Sequence, residues 1–277
     1  MQGSGNDFVL MLNDDLKVAE HDMPEWARRI CPRSFSVGAD GLIFLETRGS
    51  RTGSQYRWHF FNSDGSRAEM CGNGSRCAAR LAYDLGLASA SHTFDTDAGP
   101  VRAEVDTDSD LVKVQLTDFQ KLQPNLTVDC GQDTPAVTVH FVNTGVPHVV
   151  YLADRAEAVD LPTFGPLLRY HERFAPNGAN VNVIQVMDQG SLFVRTYERG
   201  VEDETFACGT GAAASAIIAR HLGFCGDVVP VTTSGGEQLQ ISFENDRTFL
   251  RGKAELIYTG SLSPAVVSLT ARSDASS

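Results

Sequence analysis

The sequence predicts an α+β protein built from two pseudo-symmetric, homologous halves. Each half is expected to be a mostly antiparallel or mixed β-sheet wrapped around one central helix, with the active cleft between them. Three observations carry this reading. Cys71-Gly72-Asn73-Gly74 recurs as Cys208-Gly209-Thr210-Gly211, an offset of 208 − 71 = 137. One clear helical pattern follows each copy, and most other apolar residues fall in short β-rich runs.

The repeat is an ordered series. The same offset carries Leu85-Gly86 onto Leu222-Gly223 and Gly99 onto Gly236, and lays Phe60-Phe61-Asn62 against Tyr197-Glu198-Arg199. Nearer each start the offset is 140, where Gly5 matches Gly145 and Gly38-Ala39-Asp40 matches Gly178-Ala179-Asn180. The halves therefore meet near 120–136. We expect residues 1–120 to form the N-terminal half and 121–261 the C-terminal half, with 262–277 returning to the first. The last four residues, Asp-Ala-Ser-Ser, read as a frayed tail.

Strands are expected at 8–12, 42–46, 56–61, 101–105 and 111–116, then at 137–142, 148–152, 181–187, 192–197 and 239–243. The first helix is expected over 74–85. It carries a polar stripe of Arg76, Arg80 and Asp84 opposite Cys77, Ala78, Leu81, Ala82 and Leu85. The second, over 211–222, is apolar nearly all round until Arg220 and reads as a buried central helix. Gly86 and Gly223 stand where a glycine just past the last turn would stop each helix.

Composition excludes several classes. The formal charge is 23 − 35 = −12, and the cations are scattered, so no basic stripe invites nucleic acid. The longest apolar run, 212–219, falls well short of the ~18 residues of a membrane span. The opening residues lack the basic and apolar regions of a signal peptide, and we expect a cytoplasmic protein. Six cysteines, at 31, 71, 77, 130, 208 and 225, are too sparse for a disulfide scaffold. None forms a Cys-x-x-Cys pair, and no metal site is expected.

Each repeated cysteine precedes a glycine-rich turn entering a helix. The first N–H groups of a helix lack internal partners and carry partial positive charge, which stabilises a thiolate and attracts an anion. If the pseudo-twofold relation faces the halves together, amides of Gly72, Asn73, Gly209 and Thr210 converge on one carboxylate, with Cys71 and Cys208 on opposite sides. That arrangement suits inversion of a stereocentre beside a carboxylate, in which one group takes a proton from one face and another returns one to the other. Thiols, with an ordinary pKa of ~8.5, reach either state near neutrality. No Lys beside the motifs suggests a Schiff base, so no cofactor is expected. Taken alone, the residues leave open that both cysteines merely pack at tight turns.

These residues resemble the diaminopimelate epimerase family over nearly the whole chain. Gly3-Ser4-Gly5-Asn6-Asp7-Phe8 is similar to its opening motif. The segments 61–66 and 69–74 resemble its first cysteine signature, and 197–200 with 204–211 its second. The resemblance implies a cofactor-independent enzyme interconverting LL- and meso-diaminopimelate, a small-molecule substrate, on the route to lysine and peptidoglycan precursors. It also implies a homodimer. Carried over by position, Cys71 and Cys208 are the catalytic acid/base pair. Asn6, Asn62, Gly72, Asn73, Asn180, Glu198, Arg199, Gly209 and Thr210 bind substrate, and His148 supports the site.

Three departures stand out. Gly41 replaces a frequent Gln of the family, Val146 replaces a frequent Asn, and the opening motif lies almost at Met1, where the family carries a further short strand. The last departure suggests an exposed sheet edge. The rival readings are a proline racemase-like enzyme, whose first signature has His where Asn73 stands, a related isomerase without the cysteine pair, a non-catalytic anion-binding module, and a zinc protein.

Overall fold

The fold is that of a computed structural model, of which residues 1–48, 53–131 and 135–267 are described. The N-terminal half opens with strands β1 (Gln2–Gly3) and β2 (Asn6–Leu12), a short helix α1 (Asn13–Leu16) and helix α2 (Met23–Ile30). Strands β3 (Gly41–Glu46) and β4 (Tyr56–Asn62) lead into the central helix α3 (Gly72–Asp84). Strands β5 (Ser91–Thr96), β6 (Gly99–Val105) and β7 (Leu111–Gln115) complete this half.

The C-terminal half repeats that order after a hairpin of β8 (Gln120–Val128) and β9 (Val137–Asn143). It runs β10 (Pro147–Leu152), α4 (Leu161–Arg169), β11 (Asn180–Val186), β12 (Leu192–Glu198), a small added strand β13 (Asp203–Thr205) and the central helix α5 (Gly209–His221). Strands β14 (Val228–Thr233), β15 (Gln238–Glu244) and β16 (Arg247–Lys253) follow, and α6 (Pro264–Val267) is the last described element.

The ladders repeat as faithfully as the order. In the first half β2–β3 and β4–β5 are parallel, while β3–β4, β5–β6 and β6–β7 are antiparallel. In the second, β10–β11 and β12–β14 are parallel, while β11–β12, β14–β15 and β15–β16 are antiparallel. The last strands of the two halves, β7 and β16, pair antiparallel and join the sheets at the pseudo-twofold axis. Each sheet curls round its central helix, and residues of both helices share one hydrophobic core.

Outside the sheets lies a second layer. The amphipathic α2 buries Met23, Ala27 and Ile30 against Leu42, Phe44 and Phe61 of β3 and β4, and Leu262, Val266 and Val267 pack on the same cluster. The helix α4 plays the corresponding part in the second half, with Leu161 and Leu168 against Val181, Val183 and Tyr197. Inside the first half, Trp58, Phe60 and Phe94 form an aromatic wedge beneath α3, and Tyr56 stacks on Phe94 at 5.0 Å between centroids. Truncating Trp58 to Ala would cost about 3–5 kcal/mol.

Several expectations are corrected in detail. Both central helices begin two residues earlier than expected, because the cysteines are themselves the N-caps: each sulfur accepts the N–H of the third residue on, Gly74 or Gly211. Glycines read as loop therefore lie inside the first turn. Two members of the polar stripe of α3 are buried, Arg76 at 0% and Arg80 at 8% exposed, while Asp84 at the helix end is exposed. Arg80 donates to the Asp106 and Leu111 carbonyls that close the β6–β7 turn. The edge of β2 is covered at its start, where β1 pairs with Asn6 and Asp7 and Gln2 bridges Glu255; residues 9–12 have β3 as their one strand partner among the described residues. Gly86 and Gly223 do terminate the helices, with φ of +70° and +83°. The residues 274–277 expected to form a frayed tail lie outside the described residues. Among the described residues no helix is long and apolar enough to cross a membrane.

Candidate active site

The two helix starts meet over one side chain. A Cβ added to Gly72 would lie 3.1 Å from Leu250 Cδ2, and one added to Gly209 would lie 3.2 Å from the same atom. Leu250 sits mid-way along β16, so the junction of the sheets brings α3 and α5 together at their N-termini. Cys71 and Cys208 cap these helices with extended backbone, and their sulfurs accept from Gly74 N at 3.5 Å and Gly211 N at 3.4 Å. The first intrahelical bonds then close from Ser75 to Cys71 O and from Ala212 to Cys208 O. The helix geometry leaves the amides of Gly72, Asn73, Gly209 and Thr210 without intrahelical partners.

These groups open on a cleft of about 300 Å³. Of the residues singled out in the sequence, Asn6, Asn62, Cys71, Gly72, Asn73, Glu198, Cys208, Gly209 and Thr210 line it. A wider groove of about 750 Å³, between Asn125, His140, Tyr151 and Phe224, lies on the C-terminal half away from both cysteines. Its lining holds no Asp, Glu, Lys or Arg, whereas both thiols, Asp40 and Glu198 line the smaller cleft.

Three predicted residues stand behind the cleft wall. Asn180 spends its amide on the backbone, accepting from Arg199 N at 2.8 Å and donating to Pro147 O at 3.2 Å. Arg199 is half-buried and donates to Asn177 O at 3.4 Å. His148 is fully buried; Asn182 Nδ2 donates to its Nδ1 at 3.1 Å and to Val149 O at 3.1 Å. The carbonyl partner fixes which end of the Asn182 amide faces His148, so Nδ1 accepts and the ring proton is assigned to Nε2. Burial, then the Arg199 charge, pushes the His148 pKa down to about 3, against the Asn182 bond, and the ring stays neutral. Nε2 has no partner among the described residues.

Sequence reasoning missed Asp40, Phe8, Phe60 and Met70, which also line the cleft; Val146, singled out as a departure from the family, lines it too. Asp40 accepts from Asn6 Nδ2 at 3.0 Å, and Asn6 Oδ1 accepts from Asn73 Nδ2 at 2.6 Å. A carboxylate can only accept, so Asp40 sets the polarity of this relay and turns Asn73 Oδ1 toward Gly209. The signal was Asp40 itself, a charged residue in the Gly-Ala-Asp-Gly motif that served to align the repeat and to mark Gly41 as a departure. Gly41 also has a structural reason: a Cβ there would lie 2.6 Å from the Phe60 ring.

The structure shifts two pairings of the repeat. The ladders set Phe8 beside Gly41 and His148 beside Asn180, so Asn180 corresponds to Gly41 rather than to Asp40, at 180 − 41 = 139. Asn62 ends β4 and Glu198 ends β12, so these two are equivalent, at 198 − 62 = 136. The segment from strand end to cysteine spans 208 − 198 = 10 positions in the second half and 71 − 62 = 9 in the first. One residue was added where β13 forms, and alignment from the cysteines alone slides the strands by that residue.

Electrostatics separates the two thiols. Burial pushes Cys208 up to about 12; Glu198 adds to the rise, while the Thr210 hydroxyl and the helix amides oppose it. Burial also raises Cys71, opposed by the Gly74 and Asn73 amides and by the Arg76 cation. Glu198 is itself raised by burial and lowered by a 2.9 Å bond from the Thr205 hydroxyl.

The family model described as diaminopimelate epimerase matches residues 1–122 and 140–257. The chain belongs to the diaminopimelate epimerase family. It is 46% identical over 271 residues to the diaminopimelate epimerase of Hydrogenobaculum sp. (strain Y04AAS1), covering 95% of this chain and 96% of that one. To that of Aquifex aeolicus (strain VF5) it is 43% identical over 277 residues, covering 96% and 98%. Among solved structures, a probable proline racemase from Agrobacterium radiobacter K84 superposes with a TM-score of 0.66 at 15% identity, covering 87% of this chain and 82% of that one. A hydroxyproline epimerase from Agrobacterium vitis gives 0.65 at 13%, covering 91% and 87%. These structural likenesses show a shared fold, and the family assignment rests on sequence.

Proposed function

We propose that this member of the diaminopimelate epimerase family interconverts LL- and meso-2,6-diaminopimelate with Cys71 and Cys208 as its two acid/base groups and with no cofactor. The observation that carries this reading is the meeting of two cysteine-capped helix starts over Leu250, each with first-turn amides that have no intrahelical partner.

In the proposed reaction the α-carboxylate lies across the amides of Gly72, Asn73, Gly209 and Thr210. One cysteine, as thiolate, takes the α-proton. Charge moves into the carboxylate, where preorganised N–H groups hold it without solvent rearrangement. The other cysteine, as thiol, delivers its proton to the opposite face. The pair ends with its protonation exchanged, ready for the reverse direction. Asn6, Asn62 and Glu198 are placed to receive the ammonium and distal polar groups. Asn180, Arg199 and His148 support that wall from behind.

The wider setting is also a proposal. The protein works in the cytoplasm as a homodimer, serving lysine and peptidoglycan precursor synthesis, and its domains divide at 120/121 with the C-terminal segment returning to the first. Proton NMR of LL-diaminopimelate in D2O with reduced enzyme tests the central claim. Loss of the α-proton signal together with appearance of the meso isomer is expected. No exchange in folded, reduced enzyme overturns the substrate assignment and makes proline-like amino acids the next substrates to try.

A further inference from the structure

Arg76 carries a charge that the fold leaves unanswered. It lies one turn into α3 and is wholly buried, yet its nitrogens reach only neutral oxygens. Nε donates to the Lys253 carbonyl of β16 at 3.1 Å, and the terminal nitrogens to the Gly72 carbonyl at 3.5 Å and the Ser4 hydroxyl at 2.5 Å. It makes no ion pair among the described residues. Glu237 stands one step away, accepting from Ser4 at 3.2 Å. The slot is made to measure, since a Cβ on Gly252 would lie 3.3 Å from the guanidinium carbon. Burying a cation without a counter-charge is strongly unfavourable, and neutral donors could bond two carbonyls and a hydroxyl equally well.

The other half dispenses with this cation. The equivalent position is 76 + 137 = 213, which is Ala213, buried in an apolar stretch of α5. Two helix-capping cysteines thus share backbone geometry and differ in charge setting. Facing Cys71 are Arg76 and the thiol of Cys77 on its own helix, with Glu198 from β12; Cys77 is pushed up to about 12 by burial and stays protonated. Facing Cys208 are Glu198 and the Thr210 hydroxyl.

We propose that Arg76 is a positioning residue that holds Cys71 as the thiolate of the resting pair and leaves the shared proton on Cys208. The inference rests on the reading of these cysteines as an acid/base pair. The missing counter-charge of Arg76 is then the sulfur of Cys71, the residue that caps the same helix five positions earlier. The charge appears when the pair shares a single proton and is dispersed as that proton moves during turnover.

The test reads ionisation separately from turnover. Reduced full-length protein is alkylated with iodoacetamide across a pH series, and each cysteine is followed by peptide mass spectrometry. In Arg76→Met the midpoint for Cys71 should rise by about one pH unit or more, as expected for loss of an adjacent opposite charge. Arg76→Lys should restore most of the shift, and Cys208 should keep its midpoint. An unchanged Cys71 midpoint in folded Arg76→Met makes Arg76 only a strut between the halves and overturns the proposal.

A second measurement avoids dependence on that variant's folding. Near neutral pH, ultraviolet thiolate absorbance should persist in Cys208→Ala and vanish in Cys71→Ala; the reverse pattern also overturns the proposal. Failure to epimerise diaminopimelate would sink the substrate reading while leaving both ionisation results intact.

Discussion

The two halves share a skeleton rung for rung and differ in what they mount on its inner face. In the first, the ladder sets Phe8 beside Gly41 and Gly41 opposite Asn62. In the second, it sets His148 beside Asn180, and the register of Val181 with Tyr197 puts Asn180 opposite Glu198. Phe8 packs edge-on against Phe60 at 5.9 Å, an apolar wall. His148, Asn182 and Thr196 make a hydrogen-bonded one. Duplication thus preserved what holds the cysteines and released the wall behind them, so one half backs the cleft with hydrocarbon and the other with a hydrogen-bonded group that includes one imidazole.

The largest expected effect tests what the halves share. If both cysteines do acid/base work, Cys71→Ala and Cys208→Ala should each lower kcat by about 10³-fold or more while circular dichroism and melting stay near wild type. Near-full turnover in either variant would break the functional equivalence of the halves and remove that cysteine from the mechanism.

The next effect probes how tightly each wall grips its helix. A Cβ on Gly211 would lie 2.4 Å from Asn182 Oδ1 and 2.9 Å from Thr196 Oγ1, inside a hydrogen-bonded group that cannot yield. A Cβ on Gly74 would meet the Ile43 Cδ1 methyl at 3.2 Å, and a methyl end can move. Gly211→Ala should therefore destabilise by about 3 kcal/mol, whereas Gly74→Ala should stay within about 1 kcal/mol because gained helix propensity offsets the squeeze. Urea denaturation of both variants checks this, and equal losses would mean the polar wall is no stiffer than the apolar one.

Much of this was legible in the sequence, for identifiable reasons. The central helices, the cysteines at their starts and the strands flanking them follow from spacing, because helix starts and period-two runs leave local marks. The outer helices α2 and α4 were missed: each is short and has a proline in its first turn, and α4 carries a second, Pro166, inside it, so the pattern was too brief and too broken to register. Strands β5, β14 and β16 were missed because polar residues such as His92, Asp95 and Thr248 are buried in them by tertiary contacts. The inward turn of Arg76 was hidden for the same reason. A charged stripe looks solvated until the second half supplies the carbonyl of Lys253 against it. Asn182, a lone amide between Val181 and Val183, was a readable sign that something polar lay behind the second cysteine.

A smaller effect follows from the buried imidazole. Between pH 6.5 and about 3 the unfolded chain takes a proton at His148 that the folded one refuses. The unfolded state then binds more protons, so stability falls as pH falls, by about 1.4 kcal/mol per unit. Between pH 6.5 and 5 the loss is about 2 kcal/mol. His148→Phe, which copies Phe8 from the other half, should flatten this part of the acid dependence in urea titrations. An unchanged slope would move the acid sensitivity to another group.

The smallest effect concerns the strand ends, where Asn62 and Glu198 correspond. Asn62 Nδ2 donates to the Ser66 hydroxyl at 2.9 Å, a contact with no titration, whereas the Thr205 hydroxyl donates to the Glu198 carboxylate and favours its charged form. Burial already lifts Glu198, so removing that bond with Thr205→Val should lift it further, by up to about one pH unit for one hydrogen bond. A raised carboxyl pKa means more of the neutral acid at a given pH, and a neutral acid binds an ammonium group less well. KM should therefore rise a few-fold on the acid side and converge on wild type as pH increases. Ser66→Ala should change KM by the same factor at every pH. If Thr205→Val also gave a pH-independent change, Glu198 would not ionise in the working range, and the two strand ends would be alike in chemistry as well as in place.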